Sequence, residues 1–161
     1  MNEVRPNNEM DGVADIADKI QKEHAVLLTS AITDSEILDS TLNDVARQRL
    51  QDLFKRRNCQ KVAIDDRVIA LSSEIRDYYQ QRKAVDNLPT LTTPDAIHLA
   101  AAIHYGATEF HTFDERNETR KRRALIPLSG NVAGHKLIIC KPPIPAGVQL
   151  PLLRDAGGPL Q

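Results

Sequence analysis

Apolar residues recur along this chain at two alternating periods, which lay out helices and short strands in turn. Val13, Ala14, Ile16, Ala17 and Ile20 fall at helical spacing and predict a first helix. Val26 to Ser30 (V-L-L-T-S) has the length and apolar character of a short strand. Leu42, Val45, Ala46, Leu50, Leu53 and Phe54 return at three- and four-residue steps, giving an amphipathic helix that Asn58 would close. Lys61 to Ile64 reads as a strand, and Val68, Leu71, Ile75, Tyr78 and Tyr79 line one face of the next helix. Lys136 to Cys140 (K-L-I-I-C) is the last strand. Strands that alternate with helices pair in parallel and carry helices on both faces, so the fold class is α/β.

The stretch from Thr93 to Asp114, T-P-D-A-I-H-L-A-A-A-I-H-Y-G-A-T-E-F-H-T-F-D, carries the candidate chemistry. Thr93 suits an N-cap, Pro94 suits the first helical position, and Asp95 follows. Ala96, Ile97, Leu99 and Ala100 to Ile103 leave almost no polar face, which predicts a buried helix. Gly106 can take the left-handed conformation that ends it. Glu109 to Phe113 is then a short strand, with Asp114 just past its end. An acid at a helix start and another after a strand can meet at the sheet edge where open α/β folds bind ligands. Taken singly, Asp95 also serves to complement the helix dipole, and Asp114 to cap a loop.

Composition narrows the setting. The chain has 161 residues, 41% of them hydrophobic and 27% charged, enough for one domain with a core. Its net charge of −1 gives no global attraction to nucleic acid, so any such affinity must come from a local patch. Arg116, Arg120, Lys121, Arg122 and Arg123 follow Asp114 and supply one, although a charge run is more often a solvated face. There is no apolar run near 18 residues and no signal-peptide pattern, and Cys59 and Cys140 match no metal spacing. A cytoplasmic protein without membrane contact is expected. The five histidines also match no ligand spacing; His98 and His104 read as packing or local hydrogen-bonding residues. Asp65 or Asp66 reads as a helix cap.

The D-A-I-H-L-A-A-A helix followed by the T-F-D strand end resembles the C-terminal half of a PIN domain. That family consists of metal-dependent nucleases, many of them the ribonuclease toxins of bacterial toxin–antitoxin pairs. The resemblance runs roughly from Val26 to Lys141 and implies a three-layer α/β/α fold around a short parallel sheet. It places a further acid at Glu36, on the helix after the strand that ends in Ser30. Thr33-Asp34-Ser35-Glu36 also fits a capping box, which would turn Glu36 back on its own backbone.

On the family reading, Glu36, Asp95 and Asp114 are catalytic acids and metal ligands. Converging carboxylates repel one another unless a cation sits among them, and hard oxygen donors favour Mg²⁺ or Mn²⁺ over zinc. Thr112 and the basic residues Arg116, Arg120, Lys121, Arg122 and Arg123 would bind the RNA substrate. An antitoxin protein and a homodimer are the further partners this reading raises, with apolar surface on the first helices serving either. A second reading is a catalytically inactive PIN-like module that binds RNA or protein without cutting.

One departure stands against the match. A PIN domain opens on a central strand that carries its first metal-binding Asp, whereas this chain opens M-N-E-V-R-P-N-N-E-M-D-G, which is polar and has no apolar run. The first central strand is therefore expected to be missing: either the natural protein starts upstream of Met1, or this copy has lost the strand and its activity. The expected organisation is a polar segment at 1–12, a PIN-like domain at 13–141, and a mobile Pro/Gly-rich tail at 142–161.

Overall fold

The computed structural model describes residues 8–39, 44–117 and 122–143. Its elements run α1 (Asn8–Gln21), β1 (Leu27–Ser30), α2 (Ala31–Asp39), α3 (Asp44–Phe54), β2 (Cys59–Val62), α4 (Asp66–Gln81), α5 (Lys83–Asp86), α6 (Thr93–His104), β3 (Glu109–His111), a short 3₁₀ turn at Ile126–Leu128, and β4 (Ile138–Cys140). This is a three-layer α/β/α arrangement built on short parallel sheets.

The helix α4 begins where Asp65 accepts hydrogen bonds from the Arg67 and Val68 backbone N–H groups, which satisfies donors that an uncapped helix leaves open. Val68, Ile75 and Tyr79 form its buried stripe, while Tyr78, expected on the same face, stays exposed. The buried stripe meets α6, whose Ala96, Leu99, Ala100 and Ala101 are all buried. Alanines at this contact let the two backbones approach closely. Leu91, Val132, Leu137 and Ile139 complete the same apolar cluster from the loops and β4. Gly106, at φ 70°, ends the α6 turn in the left-handed region as its position predicts.

The sheet is in two parts. Strands β1 and β2 pair in parallel, and so do β3 and β4, but no hydrogen bond joins one pair to the other among the described residues. Between them lies a cavity of about 910 Å³, lined by residues 27–30 of β1 and by residues 109–111 of β3 with Thr112 just after it. Among the described residues, no strand pairs with the second edge of β1 or of β3. Gly12 of α1 packs on the chain just after β4. A Cβ there would lie 2.5 Å from the Pro142 carbonyl oxygen, so only glycine permits the approach.

Several expectations need correction. The N-cap of α6 is Thr92, and Thr93 is already helical. α2 follows β1 directly at Ala31, so Thr33 lies inside the helix and the capping box at Glu36 does not form. Asn58 does not close α3. Its side-chain amide instead donates to the carbonyls of Ile20 (2.6 Å) and Ala25 (2.8 Å), tying the end of α1 to the strand pair. β2 lies two residues earlier than the Lys61–Ile64 run, and β3 stops at His111. Residues 1–7 and 144–161, and with them most of the expected tail, lie outside the described residues.

Candidate active site

Strand ends and helix starts converge on the cavity between the two strand pairs. Glu36 from α2, Asp95 and His98 from α6, and Thr112 after β3 all line it, together with Thr29 and Ser30 at the end of β1. The hydroxyls of Thr29 and Ser30 are buried and have no hydrogen-bond partner. Buried acceptors and donors of this kind cost about 1–3 kcal/mol when unmet, so this wall is polar and unsatisfied.

Asp95 is held by its own helix start. The Thr92 hydroxyl accepts from the Asp95 backbone N–H (3.3 Å) and donates to Asp95 Oδ2 (2.5 Å). Pro94 in the first turn removes a donor that would go unpaired there. Thr92→Ala is expected to cost about 0.5–2 kcal/mol, the usual loss for an N-cap, and to free the Asp95 carboxylate. A thermal melt checks the first effect.

Glu36 points toward α6, where its Oε2 lies 3.2 Å from His98 Nε2. His98, read from the sequence as a packing residue or a local hydrogen-bonder, spans 62 positions to reach this partner. Asp114 is also paired: the Arg122 guanidinium lies 2.7 Å from Oδ1, while Oδ2 is buried without a partner. Its backbone carbonyl accepts from Leu125 and Ile126, which fixes the loop after β3. Thr112 Oγ1 accepts from the Asp114 backbone N–H (3.1 Å).

The three acids are hard oxygen donors of the kind Mg²⁺ or Mn²⁺ takes. Glu36 and Asp95 share the cavity wall, whereas Asp114 is not among the lining residues and its carboxylate is engaged by Arg122. Among the described residues, the group whose donor atoms come close enough to share one ion is Glu109, His111 and Cys140, not the three acids. The donor chemistry therefore suits the metal, but the acids are not gathered around a single position.

The basic run divides. Arg116 is almost fully exposed beside Glu115, and Arg122 neutralises Asp114. Arg120 and Lys121 lie outside the described residues. Arg123 cannot serve as an RNA contact. It is 3% exposed, donates to Asp86 Oδ2 (2.9 Å) and the Pro89 carbonyl (2.8 Å), and lies over the Tyr79 ring. It is a core residue whose Nε and Nη1 are paired with these neighbours, while its Nη2 is buried without a hydrogen-bond partner.

A family model described as the PIN domain matches residues 6–122. The chain belongs to the PIN domain family. No curated protein matches it, and no solved structure does. The family's fold is a nuclease-type three-layer α/β/α, and the parallel strands and flanking helices of this PIN domain follow it. No helix among the described residues is long and apolar enough to cross a membrane.

Two features escaped the sequence reading. His111 was read as matching no ligand spacing, yet it lies between Glu109 (3.0 Å) and Cys140 (3.8 Å). The i, i+2 step from Glu109 to His111 was a legible signal, since it puts both on one face of a strand. The pairing of β3 with β4 that adds Cys140 was not. Asp86 was half legible: Arg82 stands four residues before it at a helical ion-pair spacing, whereas Arg123 comes from a distant segment.

Proposed function

We propose that this PIN domain is a metal-dependent ribonuclease hydrolysing RNA phosphodiester bonds, with Glu36, Asp95 and Asp114 as its acidic groups. The observation that carries this reading is the presence of Glu36 and Asp95 on one wall of a cavity inside a chain of nuclease-type fold. Mg²⁺ or Mn²⁺ bound there would polarise the scissile phosphate and activate water. The chain's own residues hold the acids: Thr92 fixes Asp95, His98 orients Glu36, and Arg122 screens Asp114. The exposed Arg116, with Arg120 and Lys121 close to it in sequence, supplies positive charge for the RNA backbone. The toxin role, with an antitoxin protein or a second copy as partner, rests on the same reading. Exposed Val13 on α1 and Val45 on α3 supply apolar surface for such a partner.

The engagement of all three acids by neighbours favours a second reading, a PIN module that binds RNA or protein without cutting. Cleavage of end-labelled single-stranded RNA, with Mg²⁺, Mn²⁺ or EDTA present, separates the two. The nuclease reading expects slow, metal-dependent cleavage by residues 1–161. Asp95→Asn should lower it on the order of 10²-fold or more, the scale for removing one group that stabilises transition-state charge. The fold should survive, because an asparagine keeps the backbone N–H that Thr92 caps. Cleavage unchanged in both Asp95→Asn and Asp114→Asn would remove these acids from the site. RNA retention without cleavage, weakening as salt rises, would favour the second reading.

A further inference from the structure

We propose that His111 and Cys140 bind one zinc ion, with Glu109 as the positioning carboxylate, a donor set distinct from the Glu36 and Asp95 carboxylates that line the same cavity. Glu109 and His111 are two residues apart on β3 and so share one face of the strand. The parallel register pairs His111 with Cys140, which brings the thiol to that same face. Phe110 and Ile139, on the opposite face, belong to or pack against the core cluster. The three polar groups therefore form a row on the side away from that core.

The distances fit a particular division of labour. Cys140 Sγ lies 3.8 Å from His111 Nδ1. Tetrahedral N and S donors at ~2.0–2.3 Å from zinc stand about 3.6 Å apart, so this pair needs little adjustment. Glu109 Oε2 is 3.0 Å from the other ring nitrogen, Nε2. A carboxylate there accepts the Nε2 proton and leaves the Nδ1 lone pair aimed at the cysteine side. That is the carboxylate–histidine–zinc arrangement, in which the outer group sets tautomer and ring orientation. Zinc takes cysteine as its thiolate, so the ion would displace the Cys140 thiol proton on binding.

The nitrogen and sulfur donors select a borderline or soft ion and discriminate against Mg²⁺. Glu109 is half-exposed and His111 lines the cavity, so an ion can enter from solvent and complete its coordination with water. The bound ion would join β3 to β4 just before Thr112 and Asp114, stiffening the strand end that carries them.

The test uses Co²⁺ as a spectroscopic probe of the full chain, followed by displacement with Zn²⁺. One equivalent of Co²⁺ should give a sulfur-to-cobalt charge-transfer band in the near ultraviolet, removed by Zn²⁺ and unaffected by millimolar Mg²⁺. The band should persist in Cys59→Ser and vanish in Cys140→Ser. Glu109→Gln should weaken Zn²⁺ binding about 10–100-fold, the usual effect of losing such an outer carboxylate. Zn²⁺ should also raise the melting temperature of the wild type and not that of Cys140→Ser. Absence of the band in the wild type overturns the proposal, as does a band retained in Cys140→Ser or in His111→Ala. Equal Zn²⁺ affinity in Glu109→Gln overturns the positioning role.

Discussion

Leu99→Ala is expected to lose about 2–5 kcal/mol of stability, the range for truncating a buried leucine to alanine. Leu99 is fully buried on α6, in one cluster with Val68, Ile75, Leu91 and Ile139. Its helix neighbours Ala96, Ala100 and Ala101 are already small and buried, so they cannot swing in to fill the void. Loss of transfer free energy and persistence of the cavity then add. Against a typical domain stability of about 5–15 kcal/mol, this single change removes a large share. Urea unfolding should show a lower midpoint at unchanged slope. Because α6 also carries Asp95 and His98, any RNA cleavage by the variant should fall at temperatures where the wild type still acts. A loss well below 1 kcal/mol would mean that α6 is not packed as described.

Arg123→Ala is expected to destabilise the chain by about 1.5–3 kcal/mol, the scale of hydrogen bonds made by a charged group. The arginine sits at the meeting point of Asp86, the Pro89 carbonyl and the Tyr79 ring, and it is buried. For a domain of this size the melting temperature should drop by roughly 3–12 °C. The same residue governs acid sensitivity. Arg123 first, and then Arg82, hold the Asp86 carboxyl below the usual carboxylate range. A carboxyl whose folded pKa is depressed contributes stability above its unfolded pKa of ~4, and that stability is lost as pH falls through the folded value. Removing Arg123 takes away the larger cause. The variant should therefore melt lower at pH 7 yet lose less between pH 5 and pH 2 than the wild type. Parallel loss in the two proteins over that range would show that Asp86 is not coupled to Arg123.

What could be read in advance follows the range of each interaction. The α6 helix, its glycine stop and the short strand after it were legible because their signals lie within about twenty consecutive residues. The cap was misplaced by one position, since Thr92 and Thr93 are the same residue type and only the backbone turn separates them. The capping box at Glu36 failed for a similar reason. Its local pattern was sound, but α2 continues from β1 without a break, and Thr33 never reaches a cap position.

The basic run shows the opposite limit. Composition treats Arg116, Arg122 and Arg123 as one patch, whereas the fold sends one to solvent, one to Asp114 and one into the core. The candidate acids are an intermediate case. Neighbouring elements indicated that Asp95 and Asp114 could meet at a sheet edge, and the PIN resemblance added Glu36; Glu36 and Asp95 line the cavity, whereas Asp114 does not. That Asp114 would be taken up by Arg122 could not be read, because an ion pair across the loop depends on where its ends are held.

By itself the sequence determined the alternation of helices and strands and the buried character of α6, since periodicity and capping act over a few residues. Only the tertiary structure decided the rest: the division of the sheet into two strand pairs, the seating of Arg123 against Asp86, and the row of Glu109, His111 and Cys140. Each of these depends on strand pairing or on contacts between distant segments, and these arise when the whole chain packs to bury apolar surface and satisfy its buried polar groups.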